Sequence, residues 1–358
     1  MKTSVTNVLD LGAAGDGSTD DTAAVQAAID AGGVTFFPPG QYSCATLTMR
    51  QGTRLMGTNS GTYTYSAGAY SDAFTQSASR IVRRAGTNAP LIAGPVGARR
   101  VLIEDLQLDG NNGHQTDGKA HVVHLEDCPE GEDTQWIISR CYIHGRTDPR
   151  DPAWGSGGSD VYIGAGRMAC HVQHTVCNYA NHHGLEVNGA DAVVDSCIIG
   201  DNGANGLVLG AWMTTVTQCA IYNNTHGVYV PDTGAGSPKR IILSANGIDR
   251  NGQHGVLLDR AGGTGAAGVS IVNNAFTSNG AQADDTWAHI CVRGTTGHVA
   301  IGGNVFSMLE DGYPNRTHVA VYLDEGATAL DMGNLYEGGS ARGFTNAPGS
   351  MYTATRSG

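Results

Sequence analysis

Residues 193–230 read VVDSCIIGDNGANGLVLGAWMTTVTQCAIYNNTHGVYV. One phrase is written twice in this stretch. It is a Cys, any residue, then an apolar one, followed some ten residues on by a Gly-apolar-x-apolar run. Working outward from Arg140 to Tyr336, with Asn accepted for Cys, the phrase recurs on Cys141, Cys177, Cys197, Cys219, Asn246, Asn274, Asn304 and Asn334. The intervals are 36, 20, 22, 27, 28, 30 and 30 residues. A repeat of this length that changes only by loop insertion marks a solenoid. The runs inside each repeat (VVDSC, LVLG, TTVTQC, GVYV, RIILS, GVLL) are of β type, with no helical period. Short strands joined by tight turns, without crossover helices, stack in parallel only by coiling about a common axis, which predicts an all-β, single-stranded parallel β-helix.

The exchange of Cys for Asn at one repeating position defines that position. It faces inward at a turn, about 4.8 Å from its counterparts above and below. Asn there bonds to the turn backbone and to the next Asn, and Cys there is a small buried filler. Paired disulfides are the alternative, and buried thiols fit better because nothing indicates an oxidising compartment.

The 358 residues suffice for a large core without a second domain. Glycine, at 52 residues, exceeds the usual ~7% without a collagen-like period, and positive-φ turns in every coil would use it. A net charge of −12 argues against general nucleic-acid binding. No run of about 18 apolar residues is present, so no membrane insertion is expected. The opening MKTSVTNVLDLGAAGDG has no apolar signal region, which points to synthesis in a cytoplasm. Four of the eight cysteines belong to the repeat, and Cys44, Cys128, Cys170 and Cys291 are scattered. No CxxC pair and no zinc spacing occurs, so neither metal nor cofactor is expected.

Near the N-terminus, Ser18 and Asp21 fit a capping box, and Val25, Ala28 and Ile29 form an apolar stripe that Gly32 and Gly33 end. The predicted helix, 19–31, would cover the open end of the coil stack. The run GAAGDGSTDDTAAVQAAID followed by GGVTFFPPGQY resembles the opening of the pectate-lyase-like β-helix superfamily, in the version shared by phage tail spikes, rhamnogalacturonase-like hydrolases and alginate-epimerase-type modules. The motif covers about the first 45 residues, and the coil pattern carries the resemblance to residue 338. It implies a right-handed β-helix over 1–338, with 1–45 as cap and first coil and 339–358 as an irregular tail. It also implies that Asp16, Asp20 and Asp21 build the cap. Residues 58–79, rich in Tyr, Ser, Gly and Ala, read as a long surface loop.

Chemistry is sought on the strand after the Gly-like position. Alternation turns its flanking residues inward and its middle residue outward, giving an outer column of His124, Tyr162, Glu186, Val208, Tyr229, Leu257, Cys291 and Tyr322. An exposed Leu or Cys in that column calls for cover. Just before it stand His121, His183, His226 and His254, read either as turn fillers bonding backbone carbonyls or as a base and substrate clamp. The long turn 144–160 adds Trp154 and Asp160, and later turns add Trp212 and Asp232. Trp154, Tyr162, Trp212, Tyr229 and His226 would line a sugar-binding strip, since aromatic faces stack on sugar rings. Glu186 with Asp232, two coils apart, matches an inverting carboxylate pair, and Glu186 with Asp160, one coil apart, a retaining pair. His183 would orient Glu186 or act as base in an elimination.

The resemblance implies a polysaccharide-recognising, polysaccharide-cleaving protein of the phage tail-spike type, homotrimeric and carried on a virion. Its alternatives are a stand-alone bacterial lyase, hydrolase or glycosyl-transferring enzyme, and a non-catalytic glycan-binding spike. The Asp-Pro-His-Glu stretch of alginate epimerases is Glu186-Val187-Asn188-Gly189 here, which counts against epimerisation. The Asn-Thr-Asp and Gly-His-Gly set of polygalacturonases is represented only by Thr225-His226-Gly227.

Overall fold

A three-residue strand buries too little to persist alone and is held by the strands above and below it. The computed structural model describes residues 4–61, 64–66, 69–71, 77–129, 135–145, 156–232, 240–259, 268–282, 287–294, 298–307, 319–324, 326–336, 342–346 and 351–354. The strands are mostly this short, and they fall into three parallel sheets, one strand per sheet per coil, numbered in the order the chain visits them: Val193–Asp195 lies in the first, Ile198–Gly200 in the second and Leu207–Leu209 in the third. The chain divides into two units, Met1–Leu185 and Glu186–Gly358, with the division inside the strand Leu185–Val187. Among the described residues no helix is long and apolar enough to cross a membrane.

In the first unit the opening segment is built by carboxylates. Asp16 accepts the backbone N–H groups of Ser18 and Thr19, and Asp20 accepts that of Thr22. Asp21 accepts those of Ala14 and Gly15. All three aspartates are therefore structural. The helix runs from Thr22 to Asp30, shorter than the expected 19–31, and buries Val25, Ala28 and Ile29. Asp21 occupies its N-cap position without a side-chain cap bond, so the Ser18–Asp21 capping box does not form. Within the expected loop, Thr64–Ser66 pairs antiparallel with Ala69–Ser71, so a hairpin stands where irregular chain was expected.

The coil corner between the first and second sheets repeats closely. In this unit Asp105, Arg140 and His174 each take φ between 50° and 56°, and the residue after each corner, Leu106, Cys141 or Thr175, turns inward. The Cys141 backbone N–H donates to Thr175 Oγ1, and Tyr142 pairs with Val176. Cys177 lies in mid-strand opposite Ile143. The repeat position is thus Thr175, and Cys177, although buried, is off the ladder.

In the second unit the same corner is formed by Ser196, Gln218, Ala245 and Asn273, with φ between 53° and 57°. The ladder behind it runs Cys197, Cys219, Asn246, Asn274, Asn304, Asn334. Each Asn Oδ1 accepts the backbone N–H of the preceding member, at 2.9–3.0 Å. The amides of Asn246, Asn274 and Asn304 also donate to the next Oδ1. Cys219 Sγ fills the acceptor place for the N–H of Cys197. All eight cysteines are free thiols, and all but Cys128 are buried. A second ladder, Asn202, Asn224, Asn251 and Asn279, satisfies the next corner in the same manner.

Corner residues of the ladders are thus largely not glycine. At Gly206, Gly227 and Gly255 the reason for glycine is space, because an added Cβ would lie 2.5–2.8 Å from the backbone oxygen of the next coil. The core of this unit includes one continuous stack, Ile199, Ile221, Ile248, Phe276 and Phe306. Part of the C-terminal segment expected to be irregular is described. Arg342–Asn346 and Met351–Ala354 extend the third and first sheets in parallel.

Candidate functional site

The third sheet carries the outward column. Its inward residues are sealed: Val123, Leu125, Val161 and Ile163 in the first unit, and Leu207, Leu209, Val228 and Val230 in the second, are all at most 2% exposed. Because these alternate, the middle residues His124, Tyr162, Glu186, Tyr229 and Tyr322 face out and are half-buried. Val208, Leu257 and Cys291 share the column but are buried, so the chain itself supplies the cover that their apolar character demanded.

In the first unit Tyr162 is enclosed by rings. It stacks on His121 at 4.9 Å and meets His124 edge-on at 4.9 Å. Its hydroxyl donates to Asp127 Oδ1 at 3.2 Å. Burial lowers the His124 pKa and brings that of His121 to about 3, so both imidazoles are neutral near pH 7. Tyr162 is therefore placed as the alternation predicted, with two partners, His124 and Asp127, that the strip reading omitted.

Asp160 is not at the surface. It is fully buried, and neither carboxylate oxygen has a hydrogen-bond partner among the described residues. Burial raises its pKa well above the usual carboxylate range, and the nearby Asp109 charge adds to this. A carboxyl group inside the coil cannot reach a glycan, so Asp160 and the retaining pair built on it are removed. Trp154 lies outside the described residues.

The histidines before the column resolve mainly as corner fillers, but with the opposite polarity to the one expected. Their Nδ1 atoms accept backbone N–H groups, and only His254 Nδ1 also lies within reach of a carbonyl, that of Ala288 at 3.3 Å. His121 accepts from Ser159 at 3.0 Å, His226 from His254 at 3.2 Å, and His254 from Ala288 at 3.0 Å. Burial holds His226 at about 4 and His254 at about 3. His226 is accordingly a ladder member, as Asn205, which accepts the His226 N–H, is one coil earlier. This argues against its role as a substrate clamp.

In the second unit, Trp212 stands 45% exposed in the turn after Leu207–Leu209. The Tyr229 hydroxyl donates to Asp259 Oδ2 at 3.4 Å, and Arg293 Nη1 lies 3.8 Å from Asp259 Oδ1. Burial raises the Tyr229 pKa, and the charge of Asp259 and, more weakly, that of Asp232 act in the same direction. Asp232 is half-buried just past the end of Val228–Val230. Val208 pairs with Tyr229, and the Gly210 N–H donates to the Val187 carbonyl, so Glu186 and Tyr229 stand two coils apart. The Asn188 amide donates to Glu186 Oε1 at 3.2 Å.

The run entering this strand holds one further group. In the first unit the imidazole centroids of His182 and His183 are 3.8 Å apart. The letters HHxxE were legible in the sequence, but side-by-side rings on consecutive residues were not.

Residues 5–235 match the family described as rhamnogalacturonase A/epimerase, pectate lyase-like. The chain is 26% identical over 346 residues to Depolymerase 1, capsule K30/K69-specific, of Klebsiella phage K5-2, covering 91% of this chain and 40% of that protein. Among solved structures, the A-module of mannuronan C-5 epimerase AlgE4 from Azotobacter vinelandii superposes with a TM-score of 0.67 at 18% identity, over 98% of this chain and 100% of the module. Tailspike protein 2 of an Escherichia coli O157:H7 bacteriophage superposes with a TM-score of 0.71 at 14% identity, over 92% of this chain and 43% of the tailspike.

Proposed function

The chain belongs to the rhamnogalacturonase A/epimerase, pectate lyase-like family, and from that premise we propose that it recognises and cleaves a polysaccharide in the manner of a phage depolymerase. The observation that carries this reading is the outward column of the third sheet. It places half-buried aromatic rings beside carboxylates on strands whose other side chains are sealed in the core. Such a face offers a sugar chain stacking surfaces at coil spacing and acids within reach.

In this reading Glu186 and Asp232 are the reacting pair. Two coils separate their strands by roughly 9.6 Å, within which leaning side chains meet the ~6.5–9.5 Å of an inverting pair. One carboxyl protonates the leaving oxygen while the other draws a proton from the attacking water. Trp212, Tyr162 and Tyr229 hold sugar rings, and His183 positions Glu186. A second reading, elimination from a uronate, is favoured by Tyr162 with neutral His124 and Asp127, a ready acid and base on one face. Assembly as a homotrimer carried on a virion belongs to the same proposal, with light scattering as its check.

The test incubates the purified chain with neutral and acidic polysaccharides. New reducing ends report cleavage, and absorbance of an unsaturated uronate reports elimination. Glu186→Ala and Asp232→Ala each lose at least about a hundredfold in rate, and Trp212→Ala weakens binding and removes the ligand-induced fluorescence change. Full activity in Glu186→Ala ends the assignment, and binding without cleavage across the panel leaves a glycan-binding spike.

A further inference from the structure

A contiguous apolar patch left in solvent marks a surface that meets another molecule. In the second unit the outer face of the second sheet carries one. Its first outward position runs Ile198, Ala220, Gly247, Ala275, Val305, Leu335, paired coil by coil. Ile198 and Leu335 are exposed, and so, around the corner on the first sheet, is Ile242. Met332, just past the strand Thr328–Asp331 of that sheet, joins them. From Val193 to Gly200, and at the equivalent places of the next four coils, the outward and corner residues include two charged side chains. These are Asp195 and Asp249, and Asp249 is paired with Arg250 at 2.6 Å. We propose that this wall of the second unit is the surface on which a second copy of the chain docks.

Charge selects the occupant. Each copy carries −12, so two copies repel wherever their carboxylates meet. The third sheet of this unit presents Glu186, Asp259, Arg293 and Asp324 at or just past its strands, a net negative set that disfavours a second copy there. The wall carries no such set. Its size also fits. Six coils at about 4.8 Å and eight residues at about 3.3 Å give each copy on the order of 700 Å², near the ~800 Å² that a standard stable interface takes from each partner. Drying the wall costs little, because hydroxyls on it bond one another along the columns. Ser244 Oγ donates to Thr217 Oγ1 at 3.4 Å, and the Thr277 and Ser307 hydroxyls share a bond at 3.2 Å.

The proposal rests on the reading that the chain assembles with itself and uses nothing of the cleavage chemistry, so the two fail separately. Sedimentation of the purified chain should show more than one 37.1 kDa chain per particle. An added Cβ at Gly247 meets nothing within 4 Å, and Ala275 is exposed. Gly247→Glu and Ala275→Glu therefore place a carboxylate on the wall without touching the core, which circular dichroism checks. Each should weaken association at least about tenfold, since each buries an unpaired charge in the contact. Met332 gives a readout that needs no substitution. It is 45% exposed in the single chain, and Met213, outside the wall, is 41% exposed. In the assembled wild type, peroxide should convert Met332 to the sulfoxide at least about tenfold more slowly than Met213. A wild type of single-chain mass overturns self-association altogether. An assembled wild type in which Met332 and Met213 oxidise at equal rates overturns the wall and leaves assembly to another surface. Association within about twofold of the wild type in both folded variants does the same.

Discussion

Asp160→Asn is expected to make the protein less sensitive to rising pH. Two carboxyl groups occupy the same buried region of the first unit. Asp109 is bonded by Arg80 and the Asn111 N–H and has His144 3.9 Å away. Burial acts against its ionisation, yet the His144 and Arg80 charges win and lower its pKa. Asp160 has no such partners, and Arg83, whose guanidinium is spent on the carbonyls of Gly110, Ala89, Ala120 and His121, does not compensate for its burial. Asp160 therefore holds its proton to higher pH in the folded chain than in the unfolded one. The unfolded chain releases that proton above about pH 3.9, so the folded state binds more protons and stability falls as pH rises. The contribution is fully present below the unfolded pKa and is lost as pH climbs through the raised folded one. Across that window one proton is worth about 1.4 kcal/mol of stability per pH unit. Asparagine keeps the shape and cannot ionise. In urea unfolding followed upward from pH 4.5, the variant should gain on the wild type at close to that slope until the pH passes the raised folded value, starting from an offset of about 1 kcal/mol of either sign for the changed hydrogen bonding. A difference that stays constant across the series, or one that moves toward the wild type as pH rises, would refute the charge assignment.

Three further outcomes are expected. Thiol reagents should label Cys141, Cys177, Cys197 and Cys219 slowly in the native protein and completely after denaturation; rapid labelling of all four without unfolding contradicts their burial. Asn246→Ala strands the Cys219 N–H and breaks the bond to Asn274, and should cost about 1–3 kcal/mol in urea unfolding, with an unchanged midpoint counting against the ladder as a source of stability. Deleting residues 1–32 removes the helix that buries Val25, Ala28 and Ile29 and should cause aggregation; a soluble product with the parent melting curve refutes the cap.

The coils were legible because period-two alternation and a repeated corner leave marks in the letters. Where letters and positions part, the reading slipped. Cys177 matched the phrase by identity, but the inward position belongs to Thr175, a residue that satisfies the same N–H. The second ladder was hidden by its polarity, since Asn202, Asn224, Asn251 and Asn279 look like loop residues until each amide is seen bonding the next coil. Asp160 was misplaced because a Ser-Asp pair ahead of a strand normally marks a solvated turn, and only the tertiary stacking shows it sealed inside. The outward placement of Tyr162, Glu186 and Tyr229 followed from alternation alone. Their partners Asp127, Asp259 and Arg293 come from neighbouring coils, which no local pattern brings together.

The corners have a consequence for how such a chain can change. At each one the left-handed backbone turn is secured by the buried residue that follows it, and the corner residue itself projects from the edge. That is why Arg140, His174, Ser196, Gln218, Ala245 and Asn273 all serve, although each pays the strain of a positive φ. These sites are free to drift in charge and size while the coil register holds. Arg140 shows the freedom in use, bridging Glu104 and Asp105 along its edge. The surface potential of each edge can be retuned, one corner at a time, without disturbing the strands that present the outward column.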